Sequence, residues 1–546
     1  MCEGFRSGLT KRPSGERHMQ SRSAPRFSTR RAFLVFALIF AVALLFRFSA
    51  LDRIPPGVFS DEALNGNEGI RAQRAGDYKI FFPTNNGREG LWINLIGLSE
   101  SVLGVNQFGL RFPSAVVGSL TVLALFLLAR ELFSLRTALF SAWFLATAFW
   151  HVAFSRIALR AILVPFLLTI SVLLLLRAIR VASEGRRAPS KILAALGGLL
   201  YGLGFHSYIA YRFTPFVILA FLAIDFESRR RRKEPLRPWF LILGLWLATA
   251  LIAALPIGLY FLHHPADFFT RANQVSIFSE PDPLVGLWEG MIGSLAQFDF
   301  KADSWWLVNI GRAPLLVLPV GLLFVIGIVL ACRTALKHGV HARQHWLLLL
   351  WFFVMLLPSV LAGGPSALRS IGTLPAVFMF AGIAAEFVFD MLVVSRVART
   401  LFLLVLTAAG ALEAHRYFVV WARDPRAALE ADAPKLEVGR FLNSLSPSTP
   451  RYLVVNRDDD DVSIPFIDRD GFEFSLPISA ETVLFATDGH PTPIFLFDDD
   501  ATDTDFVRGS VIVHLYSAPE FFRRLQASGL RFRTGMFGNV RYAVVE

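Results

Sequence analysis

The stretch Pro55-Pro56-Gly57-Val58-Phe59-Ser60-Asp61-Glu62 sets two adjacent carboxylates directly after a double proline and a long apolar segment. In the first turn of a helix, behind Ser60 as N-cap, such a pair complements the macrodipole by a few tenths of a kcal/mol up to about 1 kcal/mol. Held where substrates meet, a carboxylate can instead take the proton of an attacking hydroxyl. Asn65 and Glu68 follow four and seven residues after Asp61, so the three form a polar stripe on one helix face. Glu89 adds a carboxylate flanked by glycines in Gly87-Arg88-Glu89-Gly90.

Basic and aromatic residues recur at the starts of later apolar segments. Arg111 stands in "GLRFPS", where its plainer reading is a snorkelling anchor. Arg156 and Arg160 follow His151 in "WHVAFSRIALRA", spaced to point the same way on a helix. His206, Tyr208 and Arg212 crowd "GFHSYIAYR", where an interfacial packing histidine and a belt tyrosine are the plainer readings. Arg369 lies in "GGPSALRSIG". Ionisable groups at such sites are costly unless partnered or functional. The guanidinium fork matches phosphate oxygens. Arginines of this kind would hold a phosphate anchored in lipid while a carboxylate activates a hydroxyl.

The elements that must position these residues are membrane helices. The chain has 546 residues, 54% of them hydrophobic, and 52 are phenylalanine; its mean hydropathy is +0.51. Those values exceed the usual soluble composition. Spans of about 20 apolar residues are expected at 32–51, 111–130, 136–154, 161–180, 191–208, 212–226, 239–262, 314–332, 345–362, 370–391 and 399–416, about eleven in all. The first is read as an uncleaved helix rather than a signal peptide.

The net charge of +11 does not point to nucleic acid, because the arginines gather in short segments between apolar runs. The run Arg229–Lys233 and the other basic loops mark one side as cytoplasmic by the positive-inside rule. The candidate residues then share the extracytoplasmic side, beside a first loop (52–110) with interfacial helices expected at Asp61–Gln73 and Leu91–Leu103. Cys2 and Cys332 give no disulfide framework.

Three regions are expected: a disordered basic cytoplasmic tail (1–31), a membrane domain (32–420) and an extracytoplasmic α/β domain (421–546). In the last, strands are expected at Tyr452–Val455, Thr482–Phe485, Ile494–Phe497, Val511–Leu515 and Val540–Val545, with a helix at Pro519–Ala527. The acidic runs Asp458–Asp461 and Asp498–Asp500 read as solvated loops rather than a calcium site, because calcium-loop spacing is missing.

"PPGVFSDE", "GREGLW", "GLRFPSAVVGSLTV", "WHVAFSRIALRAILVP", "GLGFHSYIAYR" and "ALRSIGTLPAV" together resemble the GT-C superfamily of membrane glycosyltransferases. Within it the likeness is to family 39, with the protein O-mannosyltransferases and lipid A aminoarabinose transferases, over roughly residues 30–420. The fold implied is a mainly α polytopic helix bundle. The activity implied is inverting transfer of a sugar from a polyprenyl-phosphate donor to a hydroxyl on a protein, lipid or glycan acceptor. By that resemblance Asp61 is the catalytic acidic residue, Glu62 the second acid and Arg111 an important arginine.

From sidedness, Arg156, Arg160 and Arg369 join Arg111 in holding the donor phosphate. Glu89, His151, His206, Tyr208 and Arg212 are expected to contact substrate. No metal or other cofactor is expected, nor any nucleic acid; the expected location is the plasma (inner) membrane. A ligase using a diphosphate-linked donor, or a flippase for a polyprenyl-linked sugar, stays open as an alternative.

Overall fold

A computed structural model describes residues 29–274, 277–279, 282–337, 342–456, 462–467, 473–501 and 504–546. Cys2, residues 1–28 of the basic tail and the run Asp458–Asp461 lie outside them. Helix α1 (Thr29–Phe48) leads into a turn whose Ile54–Pro55 peptide is cis. Helix α2 (Ser60–Ala75) follows, then a two-stranded hairpin of β1 (Phe81–Phe82) and β2 (Arg88–Glu89), then α3 (Gly90–Leu103). Positive φ angles at Asn85 and Asn86 turn the hairpin, a conformation asparagine tolerates better than most residues.

The bundle continues through α4 (Gln107–Leu132), α5 (Leu135–Thr147), α6 (Phe149–Phe154), α7 (Leu163–Ser183), α8 (Arg187–Leu203), α9 (Thr214–Arg231) and α10 (Leu236–His263). After the short α11 (Pro265–Gln274) and α12 (Pro283–Ala296) come α13 (Leu318–Leu336), α14 (Ala342–Val360), α15 (Leu374–Met391) and α16 (Arg396–His415). Among the described residues ten helices are long and apolar enough to cross a membrane. The sequence suggested about eleven. The difference is 136–154, where the chain leaves helical geometry at Ala148 (φ −57°, ψ 123°) and divides the expected span into α5 and α6.

Burial separates the centre of the bundle from its rim. The segment Arg160–Ser183 buries 72% of its apolar window, whereas the segments containing α1 and α16 bury 22%. Leu34, Leu38, Leu251, Ile252, Leu401 and Leu404 are exposed. Apolar surface of that kind on helices of spanning length is covered by lipid, and the chain is a multi-pass membrane protein.

Beyond α16 the chain forms α17 (Pro425–Glu430), α18 (Ala433–Ser444) and a five-stranded sheet. Its strands are β3 (Arg451–Val455), β6 (Ile494–Phe497), β7 (Val511–His514), β8 (Phe532–Phe537) and β9 (Val540–Val545), in the order β6-β3-β7-β9-β8. Strand β3 is parallel to β6 and β7. The hairpin of β4 (Ser463–Ile467) and β5 (Glu473–Pro477) stands apart.

Alternation along β3 builds two cores. Leu453 and Val455 pack with Val438 and Leu442 of α18, while Tyr452 and Val454 pack with Phe521 and Leu525 of α20 (Pro519–Ala527). Thr482–Phe485, expected as a strand, is helical instead, within α19 (Glu481–Ala486). A four-residue apolar run does not distinguish strand from buried helix, and packing against α2 decides it here. Asp498 pairs with Arg524.

Candidate active site

Helix α2 has a sequence poorly suited to standing alone: it is polar and contains two glycines. Its neighbours make it. At Gly69 the helix meets Gly97 of α3 so closely that a Cβ on either would collide with the other's backbone. At the first turn, Phe59 is the N-cap residue rather than Ser60, and the Glu62 carboxylate reaches back to the Phe59 N–H at 3.3 Å.

The turn that delivers α2 is built by two arginines. Arg156 Nη1 donates to the carbonyls of Phe46 (2.8 Å) and Arg47 (2.9 Å). Its Nη2 donates to those of Ser49 (2.6 Å), Ala50 (3.2 Å) and Ile54 (3.0 Å). These include carbonyls left without helical partners at the end of α1. Arg111 Nη1 and Nη2 donate to the carbonyls of Pro55 (2.9 Å) and Gly57 (2.5 Å). Its Nε and Nη2 bond the Glu62 oxygens at 3.1 and 3.2 Å.

Both arginines and Glu62 are fully buried. Glu62 also accepts from the Ala158 N–H at 2.7 Å. Arg111 and Arg156, expected to hold phosphate, and Glu62, expected as the second acid, are thus placed within the scaffold of this turn. The hydrogen bonds they make run to one another and to the backbone. His151, expected to contact substrate, is fully buried in α6, with Nδ1 2.6 Å from Arg47 Nη2.

Asp61 is different. It is half-buried, and among the described residues its carboxylate accepts one hydrogen bond, at Oδ1 from Asn85 Nδ2 of the β1–β2 turn at 2.7 Å. The polar stripe on α2 is real but partly closed. Arg88 Nη1 donates to Asn65 Oδ1 at 2.7 Å, and Nη2 pairs with Glu68 and donates to Thr84 Oγ1 at 2.7 Å. Burial pulls the Arg88 guanidinium below its ordinary value; Glu68 and Asp61 oppose that and Arg160 adds to it. Asn65 and Trp92 both donate to the Ala158 carbonyl at 3.0 Å, so α2, α3 and the 155–160 turn meet at one residue.

Beside this stripe, Glu89 lies between Arg160 (Nε, 2.8 Å) and Arg212 (Nη2, 3.8 Å). Tyr208 lies under the Arg160 guanidinium, with 5.6 Å from Cζ to the ring centre. Arg212 also donates to the Phe268 carbonyl at 2.8 Å. His206 Nε2 is bonded to the Ala253 carbonyl at 2.9 Å. The structure thus gathers Glu89, Arg160, Tyr208 and Arg212 in one cluster whose electrostatic reach extends through Arg88 to Asp61.

Arg369 is half-buried, and its guanidinium makes no hydrogen bond or ion pair with the described residues. Its electrostatic partner is Asp303, held above the usual carboxylate range by burial; bonds from the Ala367 and Trp305 N–H groups and the charge of Arg369 oppose that. Trp305 packs edge-on against Phe59, two residues before Asp61, with ring centres 5.9 Å apart. Among the described residues no group of three His, Cys, Asp or Glu side chains is arranged to hold a metal.

A separate cavity of about 360 Å³ lies among Glu131, Arg180, Asp225, Arg229 and Arg343, where Glu131 pairs with Arg180 and Asp225 with Arg229 and Arg343. None of the residues around Asp61 lines it.

Sequence reasoning missed Asn85, Arg88, Asp303 and Asp432. Arg88 stood beside Glu89 in a motif already singled out, and Asn85 lies in the turn-rich stretch Pro83-Thr84-Asn85-Asn86-Gly87; Asp303 and Asp432 had no local signal. Asp432 Oδ2 accepts from Ser60 N (2.9 Å) and Ser60 Oγ (2.6 Å), across 372 residues of chain.

Residues 91–260 match the family model described as dolichyl-phosphate-mannose-protein mannosyltransferase. The match begins after Asp61. No curated protein matches the chain. Crystal structures of ArnT from Cupriavidus metallidurans align along nearly the whole chain at 15% identity. The form bound to undecaprenyl phosphate has a TM-score of 0.55, covering 93% of this chain and 97% of that one. The apo form has the same score, covering 94% and 98%. An oligosaccharyltransferase from Archaeoglobus fulgidus aligns at 15% identity and a TM-score of 0.48, covering 79% of this chain and 63% of that one. The chain has the fold of ArnT, and its resemblance to the GT-C membrane glycosyltransferases extends from sequence motifs to the whole architecture.

Proposed function

We propose that this protein is an inverting glycosyltransferase that moves a sugar from a polyprenyl-phosphate donor to an acceptor hydroxyl, with Asp61 as general base. One observation carries the reading. Asp61 is the acid of the pair whose carboxylate is half-buried and singly hydrogen-bonded, while adjacent Glu62 is locked into the scaffold. The family match over residues 91–260 and the ArnT fold, seen there with undecaprenyl phosphate, support the donor class.

In the proposed reaction Asp61 takes the proton of the acceptor hydroxyl as its oxygen attacks the anomeric carbon. The bond from that carbon to the phosphate oxygen breaks, and polyprenyl phosphate leaves with the electron pair. Arg160, Arg212 and Arg369 stabilise the growing charge. Attack opposite the leaving group inverts the carbon. The site faces away from the cytoplasm in a plasma (inner) membrane, with the N-terminus inside, as the basic loops suggest.

Deleting the gene and analysing the lipids by mass spectrometry tests this. The deletion strain is expected to accumulate a sugar-phosphate polyprenol, which the wild-type gene clears and Asp61→Asn does not. No accumulation, or clearance by Asp61→Asn, would contradict the reading. Positioned general-base catalysis contributes about 10²–10⁴-fold.

A further inference from the structure

Helix α2 presents two faces. Asp61, Asn65 and Glu68 lie on the face toward the β1–β2 hairpin. Ser60, Asn67 and Arg74, spaced by sevens, lie on a second face and bind the C-terminal α/β unit at three points. Ser60 bonds Asp432. Asn67 Nδ2 donates to the Glu481 carbonyl at 3.0 Å and to its carboxylate at 2.6 Å. Arg74 is bidentate to Asp488, at 2.7 Å twice.

Asp432 holds the end nearest Asp61, and its geometry is unusual. It stands at the N-cap of α18, where an aspartate ordinarily bonds its own helix. Here its side chain makes no such bond and turns to Ser60 instead. Its φ of 55° is left-handed, a conformation retained in a non-glycine residue when its surroundings over-determine it. Lys435 fixes the other carboxylate oxygen at 2.8 Å. Around this contact the chains touch through backbone. A Cβ on Gly57 would collide with the Ala431 carbonyl, and Thr482 Oγ1 donates to the Val58 carbonyl at 3.0 Å.

We propose that Asp432 is a positioning residue for the transfer reaction. It sets the placement of the first turn of α2, and so of the Asp61 carboxylate, from the C-terminal unit. The proposal rests on the assignment of Asp61 above. A displacement of about 1 Å at a reacting group can cost on the order of 100-fold in rate.

The test compares Asp432→Ala, Asp432→Asn, Ser60→Ala, Asp488→Ala and Asp61→Asn. Each is expressed in the deletion strain and assayed in its membranes, at equal amounts of folded protein, for polyprenyl-phosphate release against added donor extracted from that strain. Asp432→Ala should lower kcat about tenfold or more with the donor KM unchanged. Asp432→Asn should restore most of it, because an amide oxygen still accepts from Ser60. Ser60→Ala should lower kcat severalfold, which covers the case in which Asp432→Ala fails to fold.

Asp488→Ala breaks the docking contact fourteen residues along the helix, roughly 21 Å away, and should leave kcat unchanged. Wild-type kcat in both Asp432→Ala and Ser60→Ala would overturn the proposal. So would an equal fall in Asp488→Ala, which marks general docking. If Asp61→Asn is inactive in those cases, the assignment of Asp61 survives alone; full activity of Asp61→Asn removes both.

Discussion

A guanidinium group has several N–H donors in a fixed fork, and what matters is whether they are already engaged. Arg111 and Arg156 direct theirs to the carbonyls of the turn before α2 and to Glu62. Arg369 engages none with the described residues. The two kinds should fail differently. Arg111→Ala leaves Glu62 buried and unpaired, which costs about 3–5 kcal/mol. Folded protein should fall in a fluorescence-detected size-exclusion assay. Arg369→Ala should fold normally and raise the donor KM in membranes.

The sequence grouped these arginines by an expected sidedness but could not separate the two kinds. What engages Arg111 and Arg156 is mostly backbone carbonyl, which every residue carries and no motif displays. Asp61 stood out as a candidate because the double proline and the short apolar spacing before it are local.

At the scale of elements, α2 and α3 were readable from amphipathic pattern to within one or two residues, whereas the Gly69–Gly97 approach that joins them was not. Glu100 tests that junction. Its carboxylate lies in α3 with both oxygens buried and without a hydrogen-bond partner among the described residues, and burial pushes its pKa up to about 8; Asp488 raises it further and Arg74 opposes. The sign follows from linkage. Between its unfolded value near 4.5 and about 8, the folded state holds a proton that the unfolded state has lost, so the native state loses stability as pH rises through that window.

Glu100→Gln should therefore raise Tm relative to wild type, with the gain growing from pH 5 to about pH 8 and levelling above. Thermal unfolding in detergent at several pH values measures it. A gain independent of pH would contradict proton uptake by a buried carboxyl as its cause. The misread segment Thr482–Phe485 belongs to the same scale: its β-branched residues favour a strand locally, and contact with α2 overrides that preference.

For the whole molecule, hydropathy fixed the number of spans to within one, since the bilayer demands length and apolarity that few other folds need. The break at Ala148 has no proline to announce it. Least legible was the union of the two ends of the chain. The C-terminal α/β unit contributes the Asp432 contact, the Glu481 contact and the Asp488 contact to a helix that begins at residue 60. Contacts spanning several hundred residues leave no periodicity to read.

Central to the proposed mechanism is one carboxylate on that helix, driving sugar transfer from a lipid phosphate. Purified protein in proteoliposomes, given the lipid that accumulates in the deletion strain and membrane extract as acceptor, should release polyprenyl phosphate detectable by mass spectrometry. Asp61→Asn should lower that rate by about 10²-fold or more. Release by Asp61→Asn at the wild-type rate, or movement of the intact lipid across the bilayer without release, would contradict it.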